Sequence, residues 1–337
     1  MLPAAPLRRT RVPSQLWGSR LRIHAITIKI SYMNTSSATS PVVCFGETLW
    51  DLLPQGKLPG GAPMNVAYHL GKLGKSPAII SRVGEDDLGT ELLQVCEAKH
   101  IDTRYFQVDK QHPTGKVFAT IREDNEVQYE IVKPVAWDFI QWDDQYAALI
   151  RQAEYFVFGS LVTRNKVSRN TLMKCLECAN KKVLDINMRP PHFNKKIIAE
   201  LLQKATILKL NLAELHLVTG WFSDYNSDED RMSLLKDKFD LETIIVTKGG
   251  DGAILNTGDQ FYHHEGFRVT VADTVGSGDS FLAALLTKFL DGASPTDALT
   301  FASAVGALVA SYPGGCPDYA PAEIKELINI NALSHSH

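Results

Sequence analysis

The chain has 337 residues, 45% hydrophobic and 22% charged, with 35 lysines and arginines against 38 aspartates and glutamates for a formal net charge of −3. That length can bury a substantial core as one large α/β domain, and the slightly acidic balance argues against a nucleic-acid partner, whose phosphates call for a basic face. The most apolar stretch, Phe301 to Tyr312, is shorter than the roughly 20 residues needed to span a membrane, and five cysteines without paired clusters point to a reducing compartment.

Residues 1–40 differ from the rest: Arg8, Arg9, Arg11, Arg20, Arg22 and Lys29 occur there with no acid, which leaves 29 basic against 38 acidic residues in the remainder. Such a leader reads either as an organelle transit peptide or as sequence upstream of a start at Met33. The folded pattern opens with the apolar, β-prone run Val42–Phe45, followed by Gly46-Glu47-Thr48-Leu49-Trp50-Asp51. Next, Gly60-Gly61-Ala62-Pro63-Met64-Asn65-Val66-Ala67 is a glycine turn entering a helix that ends near Leu73-Gly74. From Gly115 to Val132 the sequence alternates, with Val117, Ala119 and Ile121 on one face, which predicts a hairpin turning near Glu123-Asp124-Asn125.

Tyr155–Ser160 and Lys182–Asn187 are short apolar runs suited to buried parallel strands, with helical patterns between them. The second run leads into Met188-Arg189-Pro190. Strand Ile207–Leu210 is followed by Asn211-Leu212-Ala213-Glu214, whose spacing also fits a capping box at a helix start. Ile244–Thr247 is a strand entering the turn Lys248-Gly249-Gly250-Asp251-Gly252. Cys175 and Cys178 lie in a helical pattern with no second pair at zinc spacing, so they read as chance placement rather than metal ligands. His263-His264 carries no functional signal.

The most informative stretch is Asp273-Thr274-Val275-Gly276-Ser277-Gly278-Asp279, followed by the apolar helical pattern Phe281–Leu290. Two glycines around one small residue let successive N–H groups point outward at a helix start, a site for phosphate. Asp279 fits there as a base that takes a proton from an attacking hydroxyl. The competing reading is an Asp that caps the helix.

Together, the Gly60–Ala67 and Gly276–Asp279 runs resemble the two signatures of the ribokinase-like (PfkB) family of carbohydrate kinases, and the Gly-Gly-Ala-Pro-x-Asn form is most similar to its fructokinases. The resemblance extends along almost the whole chain. It implies a three-layer αβα fold with a central, mostly parallel sheet and a small β lid, in a kinase domain over residues 41–333. The lid is expected near 52–59 and 113–133, the tail at 334–337, and dimerisation through the lid occurs in some relatives. Asp51, Gly60, Gly61 and Asn65 would meet the sugar, with Arg189 near the acceptor or the phosphates. Asn211 and Glu214 would organise Mg²⁺ and its waters, while Thr247, Gly249 and Gly252 would meet ATP, with Ala302 and Ala307 lining the adenine. Asp279 would be the base, with Gly276, Ser277 and Gly278 as the anion hole and a monovalent cation such as K⁺ near Asp273 and Val275.

The sequence has neither a Gly-x-x-x-x-Gly-Lys-[Ser/Thr] loop nor a protein-kinase motif set, and no dinucleotide turn follows Val42–Phe45. The expectation is an ATP-dependent sugar kinase, with fructose as the preferred acceptor and 2-keto-3-deoxygluconate or ribose as alternatives. A sensor of sugar or nucleotide that keeps the fold without catalysis is the reading from another class, and an intact Asp279 argues against it. Because nothing before Met33 resembles the family, the upstream reading of the leader is preferred, and with it a cytoplasmic location.

Overall fold

The computed structural model describes residues 40–53, 56–121, 127–223 and 226–334. In chain order the elements are β1 (Val42–Phe45), β2 (Leu49–Leu53), β3 (Gly56–Gly60), α1 (Ala62–Lys72), β4 (Ala78–Gly84), α2 (Asp87–Ala98), β5 (Phe106–Asp109), β6 (Gly115–Ile121) and β7 (Val127–Ile131). Then come α3 (Gln145–Gln152), β8 (Tyr155–Gly159), α4 (Lys166–Cys178), β9 (Lys181–Asp185), α5 (Lys195–Lys204), β10 (Ile207–Asn211), α6 (Leu212–Thr219) and α7 (Asp228–Phe239). The chain closes with β11 (Thr243–Thr247), β12 (Ala253–Thr257), β13 (Gln260–His264), α8 (Ser277–Leu290), α9 (Pro295–Ala310) and α10 (Pro321–Ser334).

Nine strands form one sheet in the order β13-β12-β11-β10-β9-β8-β1-β4-β5. The ladders from β11 to β5 are parallel, and the β12–β13 hairpin adds an antiparallel edge. Period-two alternation sends successive residues of one strand into different cores. On β1, Val42 and Cys44 pack with α1, α8 and α9, whereas Val43 and Phe45 pack with α3, α4 and α5. Both faces are therefore covered, which explains why these strands read as unbroken apolar runs. The three-layer arrangement expected from the resemblance is present.

The second sheet has the order β3-β2-β6-β7, with β2 and β6 parallel and the outer pairings antiparallel. It stands where the small β lid was expected, near 52–59 and 113–133, with its strands at Leu49–Leu53, Gly56–Gly60, Gly115–Ile121 and Val127–Ile131. Asp51 stands within a lid strand, where sequence reading set it ahead of the lid. The other face of β2 is anchored by Trp50, which is buried and donates from Nε1 to the Leu88 carbonyl of α2 at 3.0 Å. The expected turn at 123–125 lies outside the described residues, as do 1–39 and the last three residues of the expected tail; its first, Ser334, is the last residue of α10. Cys175 packs in the core from α4. Among the described residues no helix is long and apolar enough to cross a membrane.

Candidate active site

Parallel strands end on one edge of a sheet, so the loops after β1, β9, β10 and β11 open on the same side. The lid faces that edge, and a cavity of about 1120 Å³ lies between them. Glu47 after β1, Asp185 and Asn187 at the end of β9, Lys209 and Asn211 of β10 and Thr247 of β11 all line it, opposite Leu49, Asp51, Leu58 and Val117 of the lid.

Helix α8 supplies the centre. Its N-cap Gly276 has φ 75°, the left-handed region that favours glycine, and no side chain caps the helix. A Cβ at Gly276 would stand 2.5 Å from the Gly315 Cα, so this turn also needs a glycine for close approach. Asp279 occupies the third helical position rather than the cap, which overturns the capping alternative. Its Oδ2 accepts from Asn65 Nδ2 at 2.8 Å, joining α1 to α8. Burial, then the charge of Asp185, raises the Asp279 pKa to about 6, against the opposing effects of Lys209, Asn65 and Arg189. A buried carboxylate with that proton affinity, at a helix start with open N–H groups, can take a proton from a bound hydroxyl beside an anion hole.

Asp51 is raised to about 6, chiefly by burial, with Arg189 opposing. Gly61 lines the cavity but Gly60 does not: it lies behind Asp51, and a Cβ there would run into the Asp51 carboxylate. Arg189 reaches the cavity from the loop after β9. Asn211 and Glu214 form the capping box of α6: Asn211 Oδ1 accepts from Glu214 N at 2.9 Å, and Glu214 Oε2 accepts from Asn211 N at 2.9 Å. Glu214 Oε1 also accepts from Met188 N at 2.7 Å, so this side chain ties α6 to the loop carrying Arg189. Asp273 accepts from Val275 N and Gly314 N, each at 3.0 Å, and thereby shapes the loop entering α8.

Thr247, Gly249, Gly252 and Ala307 also line the cavity, with Ser303 and Gly306 of α9. Ala302 does not: it is fully buried in the packing of α9, one residue before Ser303, whose side chain lines the wall. Phe267 also lines the cavity, with its ring stacked on His264 at 4.8 Å between centroids, so His264, though not His263, supports the wall of the site.

Sequence reading missed three charged groups. Lys209 and Asp185 form a buried ion pair at 2.6 Å on the cavity floor. The signal was available, because a lysine amid Ile207-Leu208-Leu210 on a fully buried strand must have a partner. Glu47 is 4% exposed with Oε2 lacking a hydrogen-bond partner, and burial followed by repulsion from Asp279 raises its pKa to about 7. Sequence reading gave it no role.

The profile of the pfkB family carbohydrate kinases matches residues 38–322. A relative in Arabidopsis thaliana, probable fructokinase-2, is 32% identical over 305 residues that cover 82% of this chain and 92% of that protein. Among solved structures, the fructokinase with bound ATP from Xylella fastidiosa has a TM-score of 0.78 at 22% identity, covering 87% of this chain and 99% of that one; this likeness speaks for the fold. The fructokinase from Vibrio cholerae O395 in its fructose-, ADP- and calcium-bound form has a TM-score of 0.74 at 25% identity, covering 86% and 99%. The chain belongs to the pfkB family of carbohydrate kinases. The enzyme class expected from the sequence, an ATP-dependent sugar kinase, stands with it.

Proposed function

We propose that this enzyme transfers the γ-phosphoryl group of ATP to a hydroxyl of fructose, giving fructose 6-phosphate. The observation that carries the reading is Asp279 at the open start of α8, held by Asn65 and facing a cavity that Asp51 enters from the lid. The fructokinases among its relatives support fructose as acceptor.

In this reading, Asp51, Gly61, Asn65 and Arg189 hold the sugar, with Gly60 leaving room for the Asp51 carboxylate. Asp279 accepts the proton of the attacking hydroxyl, whose oxygen forms the new bond to phosphorus as the bond to ADP breaks. The backbone N–H groups of Gly276, Ser277 and Gly278 hold the charge on the transferring phosphoryl oxygens. Thr247, Gly249, Gly252 and Ala307 receive the nucleotide. Both Glu214 oxygens already accept backbone N–H bonds, which fits contact with Mg²⁺ through water, with Asn211 beside it, better than direct ligation. When bound with ATP, Mg²⁺ supplies positive charge against the β- and γ-phosphates. The Asp273 carboxylate is engaged by Val275 and Gly314, so it would shape a K⁺ site at the Val275 carbonyl.

The five free cysteines support a cytoplasmic location. Pairing of two lids into a homodimer is part of the same reading, and sedimentation equilibrium at micromolar protein should give twice the chain mass. The test of function is ADP release with ATP and Mg²⁺ against fructose, ribose, 2-keto-3-deoxygluconate, glucose and adenosine. Turnover on fructose well above the others is expected; preference for another acceptor, or silence on all five, would overturn fructose.

A further inference from the structure

Asp185 and Lys209 are 4% and 6% exposed, and the Lys209 ammonium donates to Asp185 Oδ2 at 2.6 Å. An ion pair so deeply buried is seldom a net source of stability, because desolvation offsets the attraction. Its position gives it another use. Lys209 Nζ would be 3.1 Å from a Cβ built on Gly278, so the ammonium lies directly under the second glycine of the anion hole. Burial works against its charge, but Asp185, Asp279 and Glu214 outweigh this and hold its pKa above the usual value. The titratable groups around Asp279 come from several elements: Asp185 and Arg189 from β9 and its loop and Lys209 from β10, whose charges act on it, with Glu47 from the loop after β1 and the thiols of Cys44 on β1 and Cys316 in the loop behind Asn65, which burial keeps protonated. Of these, only Asp185 and Lys209 are locked to one another.

We propose that the Asp185–Lys209 pair is a positioning element for the base: Asp185 holds the lysine ammonium beneath Gly278, so that one negative and one positive charge are fixed under the helix start that carries Asp279. The inference rests on the kinase reading and deepens it. Asp185 strengthens Asp279 as a base, and Lys209 keeps it ionised near neutral pH. The two members therefore act on Asp279 with opposite sign, which a purely structural pair would not do. A methyl group at Gly278 would press on the ammonium.

The experiment is the titration of Asp279 in substrate-free protein, followed by the carboxyl signal of ¹³C-labelled aspartate and assigned by its loss in Asp279→Asn. Asp185→Asn, which keeps the side-chain shape, should move the midpoint down by about one unit. Lys209→Met should move it up. The far-UV circular dichroism melt serves as the check on folding, and if Lys209→Met does not fold, Asp185→Asn decides alone. A midpoint that stays in place in Asp185→Asn, or moves up, overturns the proposal; so does a folded Lys209→Met whose midpoint stays in place or moves down. In turnover with the accepted sugar, the acid limb of kcat should follow the same shifts, and Asp185→Asn should lose about tenfold in kcat near neutral pH. The titration needs no acceptor, so failure of fructose as substrate leaves this test intact.

Discussion

Asp279 is a buried carboxylate that the proposed mechanism requires to be charged, and its proton affinity reflects that conflict. With its pKa raised to about 6 by burial and by Asp185, it is mostly ionised at neutral pH yet basic enough to share a proton with a sugar hydroxyl. We expect kcat to fall as the medium is acidified through about pH 6, when the carboxylate takes up a proton. Asp279→Asn should lower kcat by about 10²–10⁴-fold while the ATP dissociation constant stays within a few-fold, as isothermal calorimetry would read. Stability runs the other way. The folded pKa lies above the unfolded value, so the group's stabilising contribution is full below about pH 4 and is lost as pH rises through about 6. Asp279→Asn should therefore raise the melting temperature at pH 7, by differential scanning calorimetry, and should lose that advantage near pH 4. Asp279 was legible because its glycines and apolar helix make a local motif. Lys209, Asp185 and Glu47 were not assigned, because their meaning comes from neighbours on other strands.

At the scale of the element, the start of α8 is the most demanding piece. Gly276 must hold φ 75° and lie against Gly315, so Gly276→Ala meets both backbone strain and a collision. We expect it to cost on the order of 1–3 kcal/mol in urea unfolding and to abolish turnover. The body of α8 is buried on all sides between the sheet, α1 and α9, so Leu285→Ala should cost about 2–5 kcal/mol with a far smaller loss in kcat per folded molecule. Helix α6 shows why a motif has to be seen in space. The Asn211–Glu214 spacing was ambiguous in sequence between cap and metal organiser, and the cap exists, with a further bond from Glu214 to the Met188 amide. Strands β1, β8, β9, β10 and β11 were readable as apolar runs, whereas the extent of the lid was not. Its inner strand begins at Leu49, ahead of the stretch near 52–59 where the sequence placed the lid.

Across the whole molecule, the site is shared between the lid sheet and the edge of the large sheet. Closing it around a sugar would keep water from the γ-phosphate. Leu58→Asp on the inner face of β3 should then raise ADP release without sugar relative to turnover with it, and an unchanged ratio in a coupled assay would count against that role for the lid. The large fold was legible because βαβ alternation dictates a covered parallel sheet. What remained hidden was the long-range joinery: Asn65 to Asp279, and His69 of α1 to the Gly315 carbonyl at 2.9 Å and the Tyr319 hydroxyl at 3.1 Å.

That joinery sets the order of events when the chain folds. The Asn65–Asp279 bond spans 214 positions and the His69–Gly315 contact 246, so neither can form until nearly the whole chain is available. Contacts of such separation carry a large loop-closure cost and come late. During refolding from urea, helical signal should therefore recover before catalysis, and a growing chain would acquire the power to split ATP only once its last helices have docked on its first.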